Sequence, residues 1–191
     1  MFAQERVALA LIALITGLMG FFESMIAVPA GSTALAADAL SFVQHSMSAG
    51  FSLQALSGTM PRARWTVHAQ GAVMALLGAL VCVIALRRFY LGSVPHPMLM
   101  TLVGLVALLA HFVSCAIMLR LRGATVDLVS IWRMAQSDAV GNIAVIAAAG
   151  MVALTRSNIP DLVIGAGLAA LFVISGWRVA VTGRSDAGRG Q

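Results

Sequence analysis

Apolar residues gather along this chain into six stretches of about 20 residues, at 7–28, 33–56, 69–86, 98–119, 126–154 and 160–181, separated by short polar connections. Twenty helical residues rise about 30 Å, the thickness of a bilayer's hydrocarbon. The pattern predicts an all-α, polytopic membrane protein: a bundle of six transmembrane helices. The second and fifth stretches are the least apolar, and their polar positions are in register. In 31–45 (GSTALAADALSFVQH), Asp38, Ser41 and His45 stand at i, i+3 and i+7, on one helix face. In 127–142 (DLVSIWRMAQSDAVGN), Met134, Asp138 and Asn142 recur every four residues on one face, whereas Arg133 points elsewhere. An ionisable side chain near the bilayer centre costs roughly 2.5–3.5 kcal/mol on insertion scales, so such groups face a protein interior or a watery path. Both stripes are therefore candidate sites.

Composition removes the alternatives to a membrane protein. Hydrophobic residues make up 60% of the 191 and charged ones 10%, with a mean hydropathy of +0.96, too little polar surface for a soluble domain. The 12 basic residues are all arginines, Arg133 within a span and the others in connections, tails and stretch ends more than in runs that could follow a phosphate backbone, so nucleic acid is not an expected partner. With the amino terminus inside, Arg6, Arg62, Arg64, Arg120, Arg122, Arg178, Arg184 and Arg189 are cytoplasmic, and Arg87, Arg88 and Arg156 lie outside. The positive-inside rule then places both termini in the cytoplasm, with the bacterial inner (plasma) membrane as the expected location. Cys82 and Cys115 fall inside apolar stretches, as small buried hydrophobes rather than a disulfide framework. The first stretch is too long for a signal peptide's core, carries Glu23 and leads into more spans, so it is expected to be retained. Residues 1–182 form the expected membrane domain and 183–191 a short disordered tail.

Other polar residues have plainer expectations. Glu23 reads equally as an interfacial residue near the outer surface or as part of a pathway. His68 and Gln70 open the third stretch, where headgroups and water would meet them. Trp65 suits a headgroup anchor, and the turn at 60–64 returns the chain to the cytoplasm. His111 is the one polar residue deep in the fourth stretch, expected first as a partner of a neighbouring helix and second as a ligand. Asn158 is a candidate cap for the sixth helix with Pro160 in its first turn, and Gly165 and Ala169 form a packing seam.

Ser41 with His45, and Met134 with Asp138, are two inward pairs that could supply up to four ligands to one divalent ion. Imidazole and carboxylate are good ligands for first-row metals and a thioether adds soft character, but a hydroxyl is poor. Imidazole also binds protons near pH 6.5, which offers a way to couple metal movement to a proton gradient. The competing expectation is that Asp38, Asp138, His45 and Arg133 neutralise one another and only fix helix packing. A remoter one is a redox protein with His45 and His111 as haem axial ligands.

The segment from Phe21 to Leu40 resembles the first two helices of the cation diffusion facilitator family, in which a glutamate precedes a Ser-x-Ala-Leu-x-Ala-Asp-Ala motif. Glu23, Ser32, Ala34, Leu35, Asp38 and Ala39 fit that spacing, and Asp138 with Ala139, Gly141 and Asn142 is similar to the family's pattern on helix five. The resemblance implies a non-enzymatic transporter, a homodimer exporting a divalent metal cation such as zinc, usually against protons. It places the metal site at Ser41, His45, Met134 and Asp138, of which Asp138 alone keeps its usual identity. Asp38, His111 and Glu23 are the further candidate ligands. No permanent cofactor is expected, and zinc, cobalt, iron, nickel, manganese and cadmium are not distinguished. The cytoplasmic metal-sensing domain of many members and the His-rich loop of some are not present in this sequence. The alternative function is a transport-inactive relative serving as a structural or partner subunit, because Ser41 and Met134 stand where stronger ligands are usual.

Overall fold

In a computed structural model, which describes residues 2–56, 64–119 and 126–183 (side chains over 4–54, 66–117 and 138–183), the chain forms six helices. They are α1 (Phe2–Ala30), α2 (Thr33–Leu56), α3 (Arg64–Leu91), α4 (Pro97–Leu119), α5 (Val126–Thr155) and α6 (Ile159–Thr182), with no strand among the described residues. Helices α1 and α3 run several residues beyond the expected spans, taking in Glu5 and Arg6 of α1 and Arg87 and Arg88 of α3. Five helices are long and apolar enough to cross a membrane. Their outward faces carry Leu14, Leu18, Leu76, Leu80, Leu105, Leu109, Val163 and Leu171, all at least half exposed. Apolar surface on that scale is stable against lipid rather than water. The protein is an integral, multi-pass membrane protein.

Helix α2 is the one that does not meet the hydropathy criterion, and it packs on all five others. Its polar residues face protein instead of lipid. One core cluster joins Leu35 and Phe42 to Met100 of α4 and Val145 of α5, and a second joins Ala37 and Leu40 to Val81 of α3 and Ala169 of α6. Small residues set how closely the helices approach. A Cβ added at Gly20 of α1 would lie 3.0 Å from Phe42 Cβ, and one at Gly165 of α6 would lie 2.6 Å from the Thr33 carbonyl carbon. The Gly165–Ala169 seam thus packs as expected, with both residues buried. Cys82 and Cys115 are free thiols.

The α1–α2 connection shows why Ser32 stands where it does. Gly31 takes φ 65°, and Gly31 N–H and Ser32 N–H donate to Val28 O and Ala27 O, the paired closure of a helix C-terminus. Ser32 then caps α2, its Oγ accepting from Leu35 N–H at 3.1 Å. Asp161 of α6 reaches across, accepting from Ser32 Oγ (2.5 Å), Thr33 N–H (2.7 Å) and Ala34 N–H (3.1 Å). With Ala36 N–H bonded to Ser32 O, the first four N–H groups of α2 all have partners. One buried carboxylate therefore serves two helix N-termini, its own and that of α2. Asp161→Ala leaves these donors unpaired in the interior, at a cost of about 2–3 kcal/mol. A lower unfolding temperature in detergent, with Asp161→Asn between it and the parent, is the expected measurement.

Two of the plainer expectations are corrected. The Asn158 side chain makes no cap; its amide donates to Arg88 O at 3.4 Å, tying α6 to α3. His68 is half-buried, with Nδ1 2.5 Å from Ala180 O in the last turn of α6, so it satisfies a helix C-terminus instead of standing in the headgroups. Gln70 donates to Ser48 Oγ of α2 at 3.0 Å. The turn at 60–63, the tail at 184–191 and the side chain of Trp65 lie outside the described residues.

Candidate metal centre

Three helices bring one group each to the same place. His45 of α2, His111 of α4 and Asp138 of α5 offer ligand atoms that all lie within 4.8 Å of one another. His45 Nδ1 is 3.1 Å and His111 Nε2 4.0 Å from Asp138 Oδ2. The two rings meet edge to face, 5.6 Å between centroids. Tetrahedral bonds of 2.0–2.1 Å would put ligand atoms about 3.3–3.4 Å apart, so the cluster needs little closure to hold a first-row ion. At 1.5 Å per residue, His45, His111 and Asp138 lie roughly 18–26 Å along their helices from the end where Thr33, Pro97 and Thr155 stand. That depth is well inside a hydrocarbon layer of about 30 Å.

Both histidines are 1% exposed, and Phe42 lies against His111 at 4.3 Å between ring centroids. Neither ring nitrogen of His45, nor Nε2 of His111, has an aligned hydrogen bond among the described residues. The 3.1 Å approach of His45 to Asp138 is thus close without being an aligned hydrogen bond. His45 Nδ1 and His111 Nε2 both stand near Asp138 Oδ2, and buried ring nitrogens left without a partner are costly. Asp138 is the exception in exposure, at 22%, because it borders a cavity of about 400 Å³ between α2, α5 and α6 that Asp38, Ser41, Gln44 and Ser175 also line. Val140, Leu168, Leu171 and Phe172 supply much of the rest of its wall.

The remaining sequence-derived candidates are placed differently. Ser41 lines the cavity, but its hydroxyl donates back to Asp38 O at 2.7 Å. Met134 stands one turn before Asp138 on α5, and its side chain, like that of Arg133, lies outside the described residues. Asp38 is 2% exposed, and its Oδ2, like both carboxyl oxygens of Glu23 of α1, has no hydrogen-bond partner among the described residues. Glu23 is fully buried, which removes the interfacial reading. Gly141 lets α5 come close here: a Cβ at that position would lie 3.7 Å from Asp38 Oδ1. Asp161 is the polar residue whose part the sequence did not disclose, since its partners are about 130 positions away.

No protein-family model matches this sequence, and the curated proteins compared with it give no match either.

Proposed function

We propose that the protein moves a divalent transition-metal cation across the membrane, holding it in transit between His45, His111 and Asp138 and exchanging it for protons. The observation that carries this reading is the convergence, within the bundle, of two imidazoles and one carboxylate, with His45 Nδ1 and His111 Nε2 lacking a hydrogen-bond partner among the described residues. A set of two nitrogens and one oxygen suits borderline ions such as zinc, iron or cobalt better than magnesium or calcium, with water from the adjoining cavity filling the open positions. Two neutral ligands and one charge make a weak site, which suits a cargo that must leave. Protons compete with metal for the imidazoles, and that competition is the means of exchange. In this reading the chain is a divergent cation diffusion facilitator that assembles as a homodimer.

The test is uptake into proteoliposomes under an imposed pH gradient, across zinc, cobalt, nickel, manganese, iron and cadmium. Saturable uptake of at least one ion, dependent on the gradient, is the expected result. No uptake of any ion, in liposomes where a competent transporter works, would sink the reading.

One observation favours a second reading, a transport-inactive partner subunit: Ser41 offers only a neutral hydroxyl and stands outside the cluster of His45, His111 and Asp138. Calorimetry separates the two, because a partner subunit titrates no stoichiometric metal.

A further inference from the structure

His111 Nδ1 has two neighbours that make opposite demands. Ala107 O lies 3.2 Å away and, as a carbonyl, can only accept. Asn142 Nδ2 lies 3.1 Å away and can only donate. The amide cannot be turned over to remove the conflict, because the same Nδ2 sits 3.1 Å from Asp138 O, a second pure acceptor that an amide oxygen would repel. Asn142 is completely buried and its Oδ1 has no partner among the described residues, so no bond on that side holds the amide either. A neutral imidazole satisfies one neighbour at a time.

We propose that Asn142 is a positioning residue that sets the tautomer of His111 and thereby weakens its hold on the metal. The assignment rests on the metal-site reading given above and extends it. With the site empty, Asn142 donates to Nδ1, and the ring proton sits on Nε2, facing Asp138 Oδ2 at 4.0 Å. For Nε2 to ligate an ion its lone pair must be free, so the proton must stand on Nδ1 and be donated to Ala107 O, and the Asn142 amide must turn away. Every loading event carries the cost of that exchange. Metal-bound histidines ordinarily donate their second N–H to an acceptor that strengthens the bond; here the neighbouring side chain is a donor and does the reverse. A site meant for release gains from this, while a storage site would not.

The experiment uses the full chain in detergent, labelled with ¹⁵N-histidine, with His111 assigned by its loss in His111→Ala. Metal-free wild type should show His111 with a bare Nδ1 and a protonated Nε2. Asn142→Ala and Asn142→Asp should move the proton to Nδ1. In zinc titrations, Asn142→Asp should bind about 10–100-fold more tightly than wild type and Asn142→Ala more tightly by a smaller factor, the range that neighbours of metal ligands command. In a His111→Ala background the Asn142→Asp gain should vanish. A proton already on Nδ1 in the metal-free wild type overturns the proposal. So does weaker zinc binding in both Asn142 variants, the result of a purely structural role, or a gain that survives without His111, which would be charge alone. If wild type binds no zinc, the metal-site reading fails, and the ¹⁵N tautomer shift still decides the part assigned to Asn142.

Discussion

Asp138→Ala is expected to reduce metal uptake to the rate of empty liposomes and to weaken metal binding by at least about 100-fold, the upper end of what even a ligand's neighbour can cost. Asp138 Oδ2 is the common member of the cluster, 3.1 Å from one imidazole and 4.0 Å from the other. It is also the one member of the cluster that can carry a negative charge, and dehydrating a doubly charged ion against two neutral imidazoles alone has little to offset it. Asp138→Asn separates charge from shape: it keeps the side chain's size and an oxygen donor while removing the charge. The Asn variant should resemble Ala in binding and resemble wild type in thermal stability. Retention of uptake in either variant would remove Asp138 from the pathway, and equal loss of stability in both would make it a packing group.

Gly176→Leu should separate α6 from α3, with a cost of ~3 kcal/mol or more, the upper end for overpacking a formed interior. A Cβ at Gly176 would lie 2.6 Å from Ala75 N and 2.8 Å from Gly71 O, both backbone atoms that cannot swing aside. Gly71 faces it from α3, where a Cβ would lie 2.7 Å from Gly176 O. Lipid supplies no hydrophobic drive to hold the pair together once contact is lost, because association in a membrane depends on close packing. Size-exclusion profiles and unfolding temperature in detergent measure the effect. Gly167, with nothing within 4 Å of an added Cβ, is the control: Gly167→Ala should leave both unchanged.

Six helices follow from runs of apolar residues, since length against bilayer thickness is a local property. Asp38, His45 and Asp138 were legible as anomalies for a similar reason: a charge in an apolar run is visible without knowing its neighbours. Their partners were not legible. Periodicity puts Asp38 and His45 on one face of α2, yet in the bundle His45 stands with His111 beside Asp138, while Asp38 is outside that cluster, on the wall of the adjoining cavity. A helix with neighbours on every side has no single inward direction, so a shared face does not mean a shared site. Glu23 reads equally from the sequence as interfacial or as part of a pathway, and its complete burial decides against the first.

The sequence by itself determined that this protein crosses a membrane, how many times, and which residues are too polar to face lipid. Only the tertiary structure decided that His111 completes the cluster with His45 and Asp138, that Asp161 holds the start of α2, and that Asn142 and Ala107 compete for one imidazole nitrogen. The physical reason is that an apolar run reports its own transfer into lipid, residue by residue. A ligand set or a buried hydrogen bond instead depends on distances between helices, and these are fixed by where small residues let backbones touch.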